Sequence, residues 1–227
     1  MRNGLPEWVV PFSVINVDEL KLIAQALDLG PRKVLADVAC GSGGVGLWLV
    51  SQTGASLIGV DFSSTAIANA QELAQTRGLS RRSRFIVADI LNTTLPDAVA
   101  DAVVSIDSLM FCDAQRAMCE IARLLKPGGR VAVVAAEATR DDAPEVLPRN
   151  YASLFANAGL EVLTFEVLED YRERSLRLYH GLNDRARPLR DQMGVGAEYL
   201  LAEAASGIER ENEPPRVRDV LIIAKLI

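Results

Sequence analysis

Four aspartates and a run of glycines carry the first chemical information in this sequence. Asp37 lies in a short apolar segment that leads into Gly41-x-Gly43-x-x-Gly46, and Asp61, Asp89 and Asp107 each end a similar segment further on. Glycines at a strand-to-helix turn let main chain approach a ligand closely, and the helix that follows offers free N–H groups. Asp61 stands about 20 residues beyond the first glycine, where a ribose-binding acid belongs in the dinucleotide fingerprint. The glycines alone therefore leave a nicotinamide-type and an adenosyl-type cofactor both open. The neighbours tilt the choice. A carboxylate at Asp37 could pair with a ligand ammonium and would gain nothing beside a pyrophosphate. One aspartate at a strand end is an ordinary helix cap. Four at successive strand ends make an electronegative rim suited to a cationic, adenosine-bearing ligand.

The elements that must position these groups alternate. Lys33–Val38, Ser56–Val60, Arg84–Ala88, Ala102–Ile106 and Gly129–Val134 are runs rich in valine and isoleucine, as expected for strands covered on both faces. Val45–Thr53, Ser64–Thr76 and Ala114–Leu125 between them are amphipathic, and Lys126-Pro127-Gly128-Gly129 closes the last. Such alternation predicts an α/β fold: a Rossmann-like, doubly wound, mostly parallel seven-stranded sheet with helices on both faces. A helix over Val17–Leu27 precedes it, with Asn16 and Glu19 placed for a capping box. Beyond Glu137 the pattern predicts a loop, a helix near Arg149–Ala158 and a strand near Leu160–Val167. Helices over Tyr171–Leu182 and about Ala186–Ala205 follow, inserted before a last strand, Val217–Leu226. The expectation is one domain: a helical lid (1–30), a cofactor-binding half (31–137) and a substrate-side half (138–227).

Composition narrows the function. The 227 residues are 49% hydrophobic and 24% charged, a globular balance. A net charge of −6 and a pI near 5.0 argue against a nucleic-acid partner. No run reaches membrane-spanning length, and Met1–Pro11 has no apolar signal core, so no membrane partner and a cytoplasmic location are expected. Cys40, Cys112 and Cys119 form no CxxC pair and His180 is the only histidine, so no metal centre is expected.

Val34-Leu35-Ala36-Asp37-Val38-Ala39-Cys40-Gly41-Ser42-Gly43, Gly59-Val60-Asp61-Phe62-Ser63, Val87-Ala88-Asp89-Ile90 and Ala122–Gly129 resemble, in order, the motifs of class I S-adenosylmethionine-dependent methyltransferases. The opening Leu5–Ser13 is similar to bacterial small-molecule enzymes of natural-product type. The resemblance implies S-adenosylmethionine as cofactor, S-adenosylhomocysteine as product and a small-molecule acceptor. It implies that Asp37 and the main chain of Ala39, Gly41 and Gly43 hold the methionine end. Asp61 would take the ribose hydroxyls, with Phe62 beside the adenine. Asp89 and the Ile90 N–H would meet the adenine edge, while Asp107, Ser108 and Leu109 would border the sulfonium and acceptor. The usual first glycine is Ala39 here, a departure of one methyl group.

A hydroxyl or protonated amine acceptor must lose a proton during transfer, so a general base is useful. His180, near neutrality by nature, is the first candidate and Asp107 the second. Phe12 reads as a lid over the cofactor or a staple onto the core, and Phe111 as an acceptor wall or core. Tyr171 and Tyr179 lie two turns apart on one helix face, where both could line an acceptor site. The arginine-rich stretch from Arg172 to Arg190 reads as a solvated face pairing with Glu169, Glu173 and Asp184, or as a grip for an anionic acceptor. Three alternatives to methyl transfer stay open: an NAD(P)-dependent oxidoreductase, a cofactor-binding enzyme that keeps its methyl group, and a non-enzymatic binding module. A monomer or a homodimer is expected.

Overall fold

The computed structural model describes residues 3–11, 13–193 and 196–227. Phe12 lies outside them. Seven strands, β1 (Val34–Val38), β2 (Ser56–Asp61), β3 (Ser83–Val87), β4 (Ala100–Ile106), β5 (Leu125–Ala138), β6 (Leu160–Val167) and β7 (Val217–Leu226), form one sheet in the order β3-β2-β1-β4-β5-β7-β6. Pairing is parallel from β3 through β5, and β7 runs antiparallel to both of its neighbours. Strand order reverses at β1, so the first two connections and the next two leave on opposite sides. The crevice above the ends of β1 and β4 is where such sheets bind ligands.

Among the described residues eight helices accompany the sheet: α1 (Val17–Ala26), α2 (Gly44–Thr53), α3 (Ser64–Thr76), α4 (Ala114–Leu124), α5 (Tyr151–Asn157), α6 (Tyr171–Asp184), α7 (Ala186–Met193) and α8 (Gly196–Glu209). Alternate strand residues supply two cores, one on each face. Leu35, Leu57, Val104, Val134 and Leu221 pack with α1, α2 and α3. Ala36, Ile58, Val103, Val133 and Ile222 pack with α4 and α5. The capping box of α1 is complete: Asn16 accepts from the Glu19 N–H at 2.8 Å, and Glu19 accepts from the Asn16 N–H at 2.8 Å.

The helix expected over 186–205 is described in two parts, Ala186–Met193 and Gly196–Glu209, on either side of positions 194 and 195, which lie outside the described residues. The strand after α4 is also longer than the valine run. It starts at Leu125 and carries a register irregularity opposite Ala100–Ala102.

Candidate functional site

At the end of β1 the chain turns through Ala39, Gly41 and Gly43 at φ values of +62°, +52° and +75°. Left-handed backbone favours glycine, so Ala39 bears a penalty that its usual replacement would not. The glycines then differ in a telling way. A Cβ at Gly43 would lie 2.9 Å from Ala70 Cβ, one at Gly46 2.6 Å from Asp37 Oδ2, and one at Gly59 2.4 Å from the Phe85 ring. Those three are small because the protein packs against them. A Cβ at Gly41 would meet nothing within 4 Å, so its main chain borders open space that a ligand could fill.

The carboxylates around this turn are held by main chain. Asp37, buried, accepts from Gly46 N–H at 3.0 Å, and burial, with Asp61 nearby, pushes its carboxyl up to about 7. Asp61 is nearly buried and accepts from the N–H groups of Gly41 (2.8 Å) and Ser63 (2.9 Å), one on each oxygen. Each oxygen retains a second lone pair for a hydroxyl. Beside it Phe62 is 79% exposed, a large apolar face that packing within the protein does not explain. Asp89 is exposed at the end of β3 and accepts from Leu91 N–H at 2.7 Å, while Ile90 is half-buried against the second core. These residues, from three motifs, surround the ends of β1, β2 and β3. The opening segment crosses beside them: a Cβ at Gly44 would lie 3.2 Å from Val10 N, and Trp8 packs on the first core under the Arg77 guanidinium.

Asp107, just after β4, sits at φ +51° and lines a second hollow. Its carboxylate accepts a short hydrogen bond from Tyr171 Oη, which also meets Ser13 Oγ at 2.9 Å. Asp107 Oδ1 is buried without a partner among the described residues. Burial pushes its carboxyl up to about 6 against the lowering effect of these hydroxyls, and burial together with Asp107 holds the Tyr171 phenol well above its usual range. The hollow, of about 740 Å³, lies between α6, α8, the end of β5 and the start of β7, with Tyr171 and Tyr179 among its lining. Tyr179 donates to Glu203 at 3.1 Å. Phe111, 58% exposed, stands at its edge.

Several expected residues lie elsewhere. His180 does not line the hollow; it is half exposed and meets Glu211 at 3.1 Å on the outside of the roof, so it is not placed to take a proton there. Leu109 is fully buried in the second core and walls no acceptor site. The Ser108 hydroxyl is bonded at 2.6 Å to Ser105 Oγ, which donates to the Val38 carbonyl, so it braces β4 against β1. The arginine stretch is only partly a solvated face. Arg177 pairs with Glu173, but Arg174 is buried, bonded to Glu19, to the Val14 carbonyl (2.9 Å) and to Asp170 (3.1 Å).

Two groups escaped the sequence reading. Asp219 of β7 lines the hollow with its carboxyl pushed up to about 7 by burial and by Asp107. Its signal was a lone acid near the start of an apolar strand. Glu203 was one of three glutamates along a largely apolar helix.

Residues 36–133 match the family described as a methyltransferase domain. Beyond that core, Methyltransferase GfsG of Streptomyces halstedii is 28% identical over 159 residues, covering 69% of this chain and 57% of that protein. The demethylmenaquinone methyltransferase of Thermus thermophilus is 38% identical over 111 residues, 48% of this chain and 49% of its own length. The chain thus spans about half the length of these curated relatives. Among solved structures, the [4+2]-cyclase SpnF superposes with a TM-score of 0.81 at 24% identity, covering 92% of this chain and 80% of that one; this likeness concerns the fold.

Proposed function

We propose that the protein transfers a methyl group from S-adenosylmethionine to a small-molecule acceptor. The observation that carries this reading is the open space at Gly41, bounded by Asp61, within a methyltransferase domain. The matched domain also favours an adenosyl cofactor over the dinucleotide that the glycine spacing left open. When bound, the cofactor supplies a methyl group on a sulfonium, which leaves as a neutral thioether when the acceptor's lone pair takes the carbon. The chain's own residues bind and orient. Main-chain groups of Ala39, Gly41 and Gly43 would hold the methionine end, with Asp37 behind them. Asp61 would accept from the ribose, Phe62 would cover the adenine, and Asp89 and Ile90 would meet its edge. Asp107, with one oxygen unpartnered among the described residues, would receive the acceptor's proton. Phe111, Tyr171 and Tyr179 would wall the acceptor. A cytoplasmic setting and a monomer or homodimer belong to the same proposal; no helix among the described residues is long and apolar enough to cross a membrane.

A second reading retains the cofactor but not the transfer, favoured by the close superposition of a cyclase on this chain. Titration with S-adenosylhomocysteine tests what the two share. Saturable binding, weakened about tenfold or more in Asp61→Ala and unmatched by NADH, is expected, since a hydrogen bond to a charged acceptor contributes roughly 1.5–3 kcal/mol. No binding in the parent protein would remove both. Release of S-adenosylhomocysteine stoichiometric with a methylated acceptor separates the first from the second.

A further inference from the structure

The hollow under α6 and α8 has a polarity that the methyl-transfer reading does not by itself require. Its inner wall ends on two carboxylates, Asp107 just after β4 and Asp219 from β7, and the charge of Asp107 raises the proton affinity of Asp219. Asp107 keeps one buried oxygen without a partner, and the Asp219 carboxylate accepts no hydrogen bond among the described residues. Two acids with acceptor capacity unspent in a confined space demand donors from whatever enters.

The cations that border the same hollow are already committed at its outer edge. Arg172 donates to the carbonyls of Arg210, Glu211 and Glu213 at 3.1, 2.9 and 3.0 Å. Arg216 pairs with Glu213 at 2.8 Å and with Asp142 at 3.5 Å, and Arg210 donates to Ser206 Oγ. These cations are held at the outer edge, and the buried Arg174 is already paired with Glu19 and Asp170, so a phosphate or carboxylate seated at the inner wall would face the like charge of Asp107 and Asp219. Between the acids and this edge the walls are apolar, with Val14, Met110, Leu147, Leu176 and Leu200.

Resting on the methyl-transfer reading, we infer that the hollow takes a largely apolar acceptor that presents an N–H or O–H donor and no anionic group, the donor seated on Asp219 and Asp107. The proton lost on transfer then has a carboxylate already in contact with it. An anionic acceptor, which the arginine stretch suggested from sequence, is disfavoured because only Arg172 of that stretch borders the hollow, where it donates to main chain, while Arg174, Arg177 and Arg190 pair with Glu19, Glu173 and Glu198.

Three probes of one skeleton test this by calorimetry, with and without saturating S-adenosylhomocysteine: 1-naphthylmethylamine, 1-naphthalenemethanol and 1-naphthyl phosphate. The amine and the alcohol are expected to bind about tenfold or more tighter than the phosphate. Asp219→Asn, which preserves shape, should weaken the amine by about tenfold and leave S-adenosylhomocysteine affinity unchanged. Equal or tighter binding of the phosphate, no binding of any probe, or an amine affinity indifferent to Asp219→Asn overturns the inference. If the nucleoside binds and the probe pattern fails, methyl transfer stands without this acceptor class. If the nucleoside fails and the pattern holds, the hollow keeps its preference and the methyl-transfer reading falls.

Discussion

The crevice above β1 to β3 and the hollow beneath α6 and α8 hold their acids by different means. In the crevice, Asp37, Asp61 and Asp89 accept from N–H groups 9, 20, 2 and 2 residues away: Gly46, Gly41, Ser63 and Leu91. In the hollow, Asp107 is held by Tyr171, 64 residues on, and Tyr171 by Ser13, 158 residues back. Arg174 reaches Glu19 across 155 positions. Main-chain donors are fixed once the turn is fixed, and any side chain can provide them. Side-chain partners must be brought together by the whole fold. The first region should therefore respond to backbone changes and the second to loss of single side chains.

The largest effect is expected where the roof is pinned. Arg174→Ala leaves Glu19 buried and uncompensated, and a loss of about 3–5 kcal/mol is expected for breaking such a pair. Urea unfolding measures it; a loss below about 1 kcal/mol would show that the roof is seated by apolar contacts alone. In the crevice, Gly46→Ala drives a methyl group into Asp37 and Leu57 and should cost about 1–3 kcal/mol of stability. Gly41→Ala, with no clash, should spare packing, pay only the left-handed backbone penalty of about 1–2 kcal/mol, and abolish nucleoside binding. Comparable affinity in Gly41→Ala and the parent would mean that the open space beside Gly41 is not the site.

Stability should also fall as pH rises. Asp37 and Asp219 go from an ordinary 3.8 to about 7 on folding, and Asp107 to about 6, so the folded chain binds more protons than the unfolded chain between those values. The contribution is favourable near pH 4 and is lost through pH 6–7, giving a lower Tm at pH 8 than at pH 5.5. Asp37→Asn should flatten that slope. A cationic ligand should ionise Asp37, so its binding heat near pH 6 should vary with the ionisation enthalpy of the buffer.

The smallest effects discriminate most finely. Ala39→Gly should stabilise by about 1 kcal/mol, because the left-handed turn then costs no Cβ strain. His180→Ala should leave turnover within about twofold; a larger fall would return the proton to the roof's outer face.

What could be read from sequence follows the same division. The parallel strands, the turn at Gly41 and the acids at strand ends were legible because each depends on neighbours within one βαβ unit. The pairing of Tyr171 with Tyr179 was legible because two helical turns bring them to one face. His180 was misread for the same geometric reason. It lies nine positions after Tyr171, about half a revolution round the helix axis, and only packing against α8 and β7 decides which side is inside. Leu109 followed a motif whose order fixed its place in the chain but not its direction. Asp219 and Glu203 gain meaning only from elements far away in sequence, and no local period marks them.

The position of β7 has a consequence for biogenesis. β6 contacts the sheet only through β7, which lies between it and β5 although it is made last. During vectorial synthesis β6 would leave the ribosome with no partner edge, and α6 to α8 with it. The earlier strands could already be folded around their turn. A nascent chain stalled before Val217 should therefore protect the strands through β5 and α5 from protease while exposing β6, so loss of β7 would cost the sheet two strands.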